Sequence, residues 1–232
     1  MFSHVEPPAG GSRSFAGPDR RDLDDHERAL LRRFADRWAG LAILDLGVGS
    51  GRTWFAFGYR AGRYVGVEVV SALARRARQR SGGRATVLVA DAARLPLADG
   101  GFDLVCFPFH GLDYADPPTR TLILREVARV MRSGAAFYFS THSLEWLLGR
   151  SGPDDRHVLG DIERQRLADL DAGADSSSGV VMLRDDAGNG TCYVTHEWQL
   201  AQLRSLGFAV VDVHGDASSR AYLVEWPGSG SP

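Results

Sequence analysis
The sequence predicts an α/β fold: a doubly wound, mostly parallel sheet of seven strands with helices on both faces and an antiparallel last strand. Three observations carry this. Short apolar runs alternate with amphipathic stretches at the pitch of strand–helix–strand units. The first runs are almost continuously apolar, as parallel strands covered on both faces are. Only a short turn-like segment separates the last two runs, so they should pair antiparallel.

In chain order, apolar residues at Leu30, Leu31, Phe34 and Trp38 recur at helical spacing and predict a helix over 23–38. Residues 41–46 form the first apolar run and end in glycines, so they predict the first strand. A helix is expected over 52–60, a second strand over 64–69, and an arginine-rich helix after it with Ser71 as its cap. Residues 85–89 and 102–107 predict the third and fourth strands. An amphipathic helix is expected over 119–131, with Gly134 as its stop signal, and a fifth strand over 135–140. Residues 180–184 and 191–195 flank Asp-Asp-Ala-Gly-Asn-Gly and predict a hairpin. Thr195 is placed to cap a helix running to 206, which Gly207 ends. Residues 208–213 and 221–226 are the closing strands.

Size and composition favour one domain over 21–226. Residues 1–20, rich in Pro, Gly and Ser, are expected to be a flexible lead-in, and 227–232 a flexible tail. The periodic pattern fades across 142–190, apart from a short helical stretch at 161–170. A long irregular segment inside a compact domain is usually functional, so 142–190 is read as a substrate-recognition insertion. Net charge is −2, which gives no overall field for nucleic acid or an acidic membrane. All 27 basic residues are arginine, so lysine Schiff-base chemistry and the lysine-bearing phosphate loop are both excluded. Cys106 and Cys192 lack metal or redox spacing and are expected to be reduced thiols in a cytoplasmic protein with no metal. No apolar run is long enough to span a bilayer, and no secretion signal is evident.

The strongest motif is Asp45-Leu-Gly47-Val-Gly49-Ser-Gly51-Arg52, directly after the first strand. Glycines allow a tight turn and leave room for a ligand against the backbone. ILDLGVGSGRT, Glu68 ending the second strand, Asp91 after the third, LPLADGGFDLV, EVARVMRSGAAFYFSTHS and THEWQLAQLRSLGFAVVDV follow one another in order. Together they resemble the class I, seven-stranded S-adenosylmethionine-dependent methyltransferases with their Rossmann-like fold. The resemblance runs from about residue 41 to 226. It implies S-adenosylmethionine as cofactor, with S-adenosylhomocysteine as product. Asp45, Gly47, Gly49, Ser50, Gly51, Glu68, Val69, Asp91, Ala92 and Phe107 match the family's cofactor positions. Glu68 corresponds to the ribose-binding acid, Asp91 to the acid that reads the adenine amino group, and Ala92 to the neighbouring backbone donor. Each acid also has a plainer reading: a turn brace for Asp45, a solvated strand end for Glu68, a helix cap for Asp91. A nicotinamide dehydrogenase would want glycine at the sixth fingerprint position, where Arg52 stands.

The loop after the fourth strand, Phe107-Pro-Phe-His-Gly-Leu-Asp-Tyr114, is expected to face the transferred methyl. His110 and His142 are the candidate bases, since imidazole titrates near neutrality. Phe109, Asp113, Tyr114, Trp146, Tyr193 and His196 are candidate acceptor contacts, although the aromatics among them equally suit packing. The expected reaction is O- or N-methylation of a small metabolite by in-line transfer. RNA or protein methylation and a non-catalytic cofactor-binding module are the alternatives. Arg75, Arg76, Arg78 and Arg80 read as a solvated helix face, because no aromatic–basic interleaving accompanies them in sequence.

Overall fold
The computed structural model describes residues 25–33, 38–149, 176–184, 190–215 and 218–228. Its strands are β1 (Ala42–Leu46), β2 (Arg63–Glu68), β3 (Thr86–Val89), β4 (Phe102–Phe107), β5 (Met131–His142), β6 (Val180–Arg184), β7 (Gly190–Val194), β8 (Ala209–Gly215) and β9 (Ser219–Trp226). The helices are α1 (Asp25–Arg33), α2 (Ser71–Arg80), α3 (Pro117–Val130), α4 (Leu144–Gly149) and α5 (His196–Ser205). Seven strands form one sheet in the order β3-β2-β1-β4-β5-β9-β8. Strands β1 to β5 are parallel, and β9 runs antiparallel to both β5 and β8. The order reverses between β1 and β4, which opens a crevice at their carboxyl ends. The remaining pair, β6 and β7, is a separate antiparallel hairpin.

Alternation along the strands divides the core into two layers. Leu44, Leu46, Val65, Val105, Phe107, Phe137 and Phe139 pack against Ile123, Leu124 and Val127 of α3 and Leu203 of α5. Their neighbours Ile43, Tyr64, Leu104, Cys106 and Tyr138 face the other way, onto Ala74 and Ala77 of α2 and onto Trp54 and Phe57. Each large apolar side chain removed from water contributes about 1.5–3 kcal/mol, so the doubly covered central strands are the most firmly held part of the sheet. They set the crevice on a rigid base.

Several local expectations are corrected. Residues 52–60 do not form the predicted helix; only Thr53–Phe55 makes a short 3-10 turn. Trp54 and Phe57 are buried in the α2-side core there, and the Trp54 ring occupies the space a side chain at Gly58 would need. Burial of those aromatics outweighs a helical propensity that Gly58 already weakens. Ser71 does not cap α2. Val70 is the cap residue, with no side-chain bond, and its N–H donates to Glu68 Oε1 at 2.9 Å. Helix α3 begins at Pro117, two residues early, because Asp116 caps it by accepting from Thr119 N at 2.9 Å. It gives way directly to β5 at Met131, so Gly134 lies within a strand. There its φ of +75° accompanies a register shift against β4 rather than a helix stop.

Thr195 does cap α5, accepting from Trp198 N at 3.2 Å. The lead-in at 1–20, the stretch at 161–170 and the last residues of the tail lie outside the described residues. No described helix is long and apolar enough to cross a membrane.

Candidate active site
The crevice has two halves, and the first is built by the turn after β1. Gly47, Gly49 and Gly51 all take positive φ, of 62°, 56° and 87°. A side chain on Gly47 would also sit 2.9 Å from the Phe107 ring, so this position needs glycine for conformation and for space. Beneath the turn, Asp45 is fully buried. Its Oδ2 accepts from the Thr53 hydroxyl and, at 2.5 Å, from Tyr64 OH, while Oδ1 has no partner. Burial pushes the Asp45 carboxyl up to about 6, with the two hydroxyl donors and Arg52 pulling it partly back. The same burial, with Asp45 alongside, raises the Tyr64 hydroxyl and the Cys106 thiol well above their usual ranges, so Cys106 is a poor nucleophile.

Glu68 ends β2 buried against this turn, its Oε2 accepting from Gly49 N at 2.9 Å and its Oε1 from Val70 N. Each oxygen retains acceptor capacity for a further donor. Asp91 is exposed beyond β3, where its Oδ1 accepts from Ala93 N at 2.8 Å in an Asx turn; Ala92 beside it is half-buried. Val69 is exposed, and Ser50 accepts from Arg80 Nη1 at 3.1 Å. From α1, fully buried Glu27 forms a two-armed ion pair with Arg52, one arm at 2.6 Å, and the Arg52 guanidinium lies 5.2 Å from the centre of the Phe109 ring.

The second half lies at the ends of β4 and β5. Phe109 and His110 are the only non-glycine residues with positive φ among those described, at 56° and 59°. Two consecutive residues in this region store backbone strain, a cost that usually marks a functional loop. The loop is pinned by His110, whose N–H donates to Ser140 Oγ at 3.0 Å and whose Nε2 lies 2.6 Å from Ser219 Oγ. The His110 ring stacks on His142, centroids 3.9 Å apart. His142 in turn gives both its backbone N–H (2.6 Å) and its Nδ1 (2.9 Å) to Asp113 Oδ2. Asp113 is fully buried, and its Oδ1 accepts from Arg120 at 2.9 Å.

Thus the fold gathers His110, Asp113, His142 and Tyr193, whose ring centre is 5.6 Å from that of His142. Phe109 and Tyr114 stand exposed beside them. Trp146 is half-buried in the cluster that joins α4 to the β6–β7 hairpin, and Tyr193 is buried in the same cluster. His196 starts α5 instead, its Nδ1 3.1 Å from Tyr222 OH. Burial and the nearby Arg220 hold the His196 imidazole below its ordinary value.

Three contributors escaped the sequence reading. Glu27 pairs across 25 residues with Arg52, Arg120 binds Asp113, and Gln199 binds Arg120. A signal existed for two of them. Arg120 falls in register with Ile123, Leu124 and Val127, and Gln199 with Leu203, so each is a polar residue on an apolar stripe. The structure also brings together basic and aromatic groups that sequence spacing keeps apart. Arg80 lies 5.5 Å from the Phe55 ring centre, and Arg84 lies 4.9 Å from that of Tyr59.

A parallel sheet with a left-handed glycine turn at its switch point, an acid ending the next strand and a strained loop opposite defines a cofactor-dependent enzyme of the Rossmann-like class. The comparisons narrow this. A family model described as a methyltransferase domain matches residues 43–134. The demethylmenaquinone methyltransferase of Thermobifida fusca (strain YX) is 30% identical over 186 residues, which cover 77% of this chain and 78% of the relative. The 1,6-didemethyltoxoflavin-N1-methyltransferase of Burkholderia thailandensis, solved with 1,6-didemethyltoxoflavin and S-adenosylhomocysteine, superposes with a TM-score of 0.63. It has 16% identity, over 87% of this chain and 77% of that one. An S-adenosylmethionine-dependent methyltransferase of Methanosarcina mazei gives 0.64 at 20% identity, over 90% of this chain and all of that one. This chain belongs to the class I S-adenosylmethionine-dependent methyltransferases.

Proposed function
We propose that the enzyme methylates a small-molecule acceptor at an oxygen or nitrogen that carries a proton, with His142 as general base. The observation behind this is the Asp113–His142 pair. A carboxylate can only accept, so the hydrogen shared at 2.9 Å belongs to His142 Nδ1, and Nε2 keeps its lone pair. A base is required only when the nucleophile is protonated at working pH. His110, stacked on His142, restricts its ring orientation. Phe109 and Tyr114 offer exposed aromatic surface to a flat acceptor, and the described parts of the segment 142–190, at 142–149 and 176–184, are candidates for its cover. Two of the three proteins described above, the demethylmenaquinone and 1,6-didemethyltoxoflavin methyltransferases, are named for small-molecule acceptors. The expected setting is the cytoplasm, with both thiols reduced.

The donor half suits the cofactor chemically. The glycine turn admits a ligand against its backbone, and Glu68 has acceptor capacity left for two ribose hydroxyls. The unpartnered, buried Asp45 Oδ1 is a suitable acceptor for an ammonium group, which the cofactor carries. Asp91 and Ala92 would meet its adenine. When bound, S-adenosylmethionine supplies an activated methyl on a sulfonium. The chain's own task is to align the acceptor, exclude water and remove the proton.

One observation favours an RNA acceptor as a second reading. Residues 46–90 carry eight arginines and one acid, Glu68, and that region includes the Arg80–Phe55 and Arg84–Tyr59 pairs. One experiment separates the readings. The enzyme is incubated with methyl-labelled cofactor and a cell extract split into metabolite, RNA and protein fractions. Label is expected in the metabolite fraction, and it should fall about 10²-fold or more with His142→Ala. Label confined to RNA or protein overturns the acceptor class. Full activity in His142→Ala overturns the base.

A further inference from the structure
We infer that Arg120 and Gln199, buried behind the crevice, are positioning residues that hold the Asp113 carboxylate in the orientation that keeps the proton on His142 Nδ1. The inference rests on the acid–base reading above. Arg120, Asp113 and Gln199 are each 0% exposed, and they form a continuous chain from α5 through α3 to the end of β5. Arg120 Nη1 donates to the Leu112 carbonyl at 3.0 Å and to Asp113 Oδ1 at 2.9 Å. Its Nη2 donates to Gln199 Oε1 at 2.5 Å, and the guanidinium lies 5.9 Å from the centre of the Trp198 ring. Gln199 Nε2 donates to Gln202 Oε1 at 3.3 Å, which commits the amide oxygen to Arg120.

A guanidinium has donors and no acceptor, so it always claims an oxygen. Arg120 therefore occupies Asp113 Oδ1 and leaves Oδ2 for the two N–H groups of His142. Gln199 holds the far arm of the fork and keeps the guanidinium from swinging away. A buried charged pair at this site carries a desolvation cost that apolar residues would avoid. Here the pair yields a single tautomer whose Nε2 can take a proton. That assignment narrows the acceptor to molecules whose reacting atom must shed a proton: a hydroxyl, an N–H or an activated C–H. Thioethers and tertiary amines, which already present a free lone pair, have no use for it.

The test reads the ring directly in the full chain, 15N-labelled and without cofactor, by long-range 1H–15N correlation. The wild type should show His142 as the Nδ1–H tautomer. In Asp113→Asn, Arg120 takes the one amide oxygen and the NH2 turns to His142, so the proton should move to Nε2. Gln199→Met and Arg120→Lys should give mixed tautomers. Should Arg120→Lys fail to fold, Gln199→Met decides. A wild-type ring protonated on Nε2 overturns both this inference and the His142 base. A wild-type Nδ1–H ring left unchanged by Gln199→Met, and by Arg120→Lys where it folds, overturns the positioning role alone.

Discussion

Replacing Asp45 by asparagine isolates the cost of a charge held beneath the cofactor turn. The Asp45 carboxyl is completely buried, and burial lifts it to about 6 from the ordinary aspartate value near 3.8. The folded state thus binds this proton more tightly than the unfolded chain does. Well below pH 3.8 the group is protonated in both states and its contribution to stability is complete. Between pH 4 and 6 the unfolded chain ionises first, and that contribution is lost as pH rises. A rise of about two pH units corresponds to about 3 kcal/mol. Asparagine has no such proton, so any fixed cost of the substitution cancels from the pH dependence. Urea titrations followed by tryptophan fluorescence, from pH 4 to 7.5, should show the wild type losing about 2 kcal/mol of this relative to Asp45→Asn by pH 7. Curves that stay parallel across this range would refute the account of Asp45.

Glu68→Ala should weaken S-adenosylhomocysteine binding by about 1–3 kcal/mol in calorimetry, the scale of lost charge-assisted hydrogen bonds; unchanged affinity would remove Glu68 from the ribose site. Gly47→Ala should cost about 1–2 kcal/mol in stability for its left-handed backbone, with more from the Phe107 contact, and wild-type stability in denaturant would contradict the geometry of the turn. Thr195→Ala should cost about 1 kcal/mol in thermal unfolding through loss of the α5 cap.

Legibility in the sequence followed the range of the physical cause. The glycine turn could be read because left-handed backbone admits few residues other than glycine. Strands β1, β2 and β4 could be read because covering on both faces demands continuous apolar runs. Glu68 was visible through its place at a strand end, and His142 for the same reason. The stretch at 52–60 was misread because Trp54 and Phe57 serve long-range packing, which outweighs a short segment's own preference. Gly134 was misread because a glycine near a helix end and one at a strand irregularity look alike locally. The links from Glu27 to Arg52 and from Arg120 to Gln199 span 25 and 79 residues, and no local pattern encodes such partners. What the sequence did display, at Arg120 and Gln199, was polarity on an apolar stripe.

The end of β4 and the loop that joins it to α3 touch both halves of the crevice at once. Phe107 supports Gly47 from below, and three residues later His110 lies flat on His142. On the proposed assignment, donor and acceptor chemistry share one short mechanical element. Kinetic constants for the two substrates should change together when this loop is altered, even where the altered side chain meets only one of them.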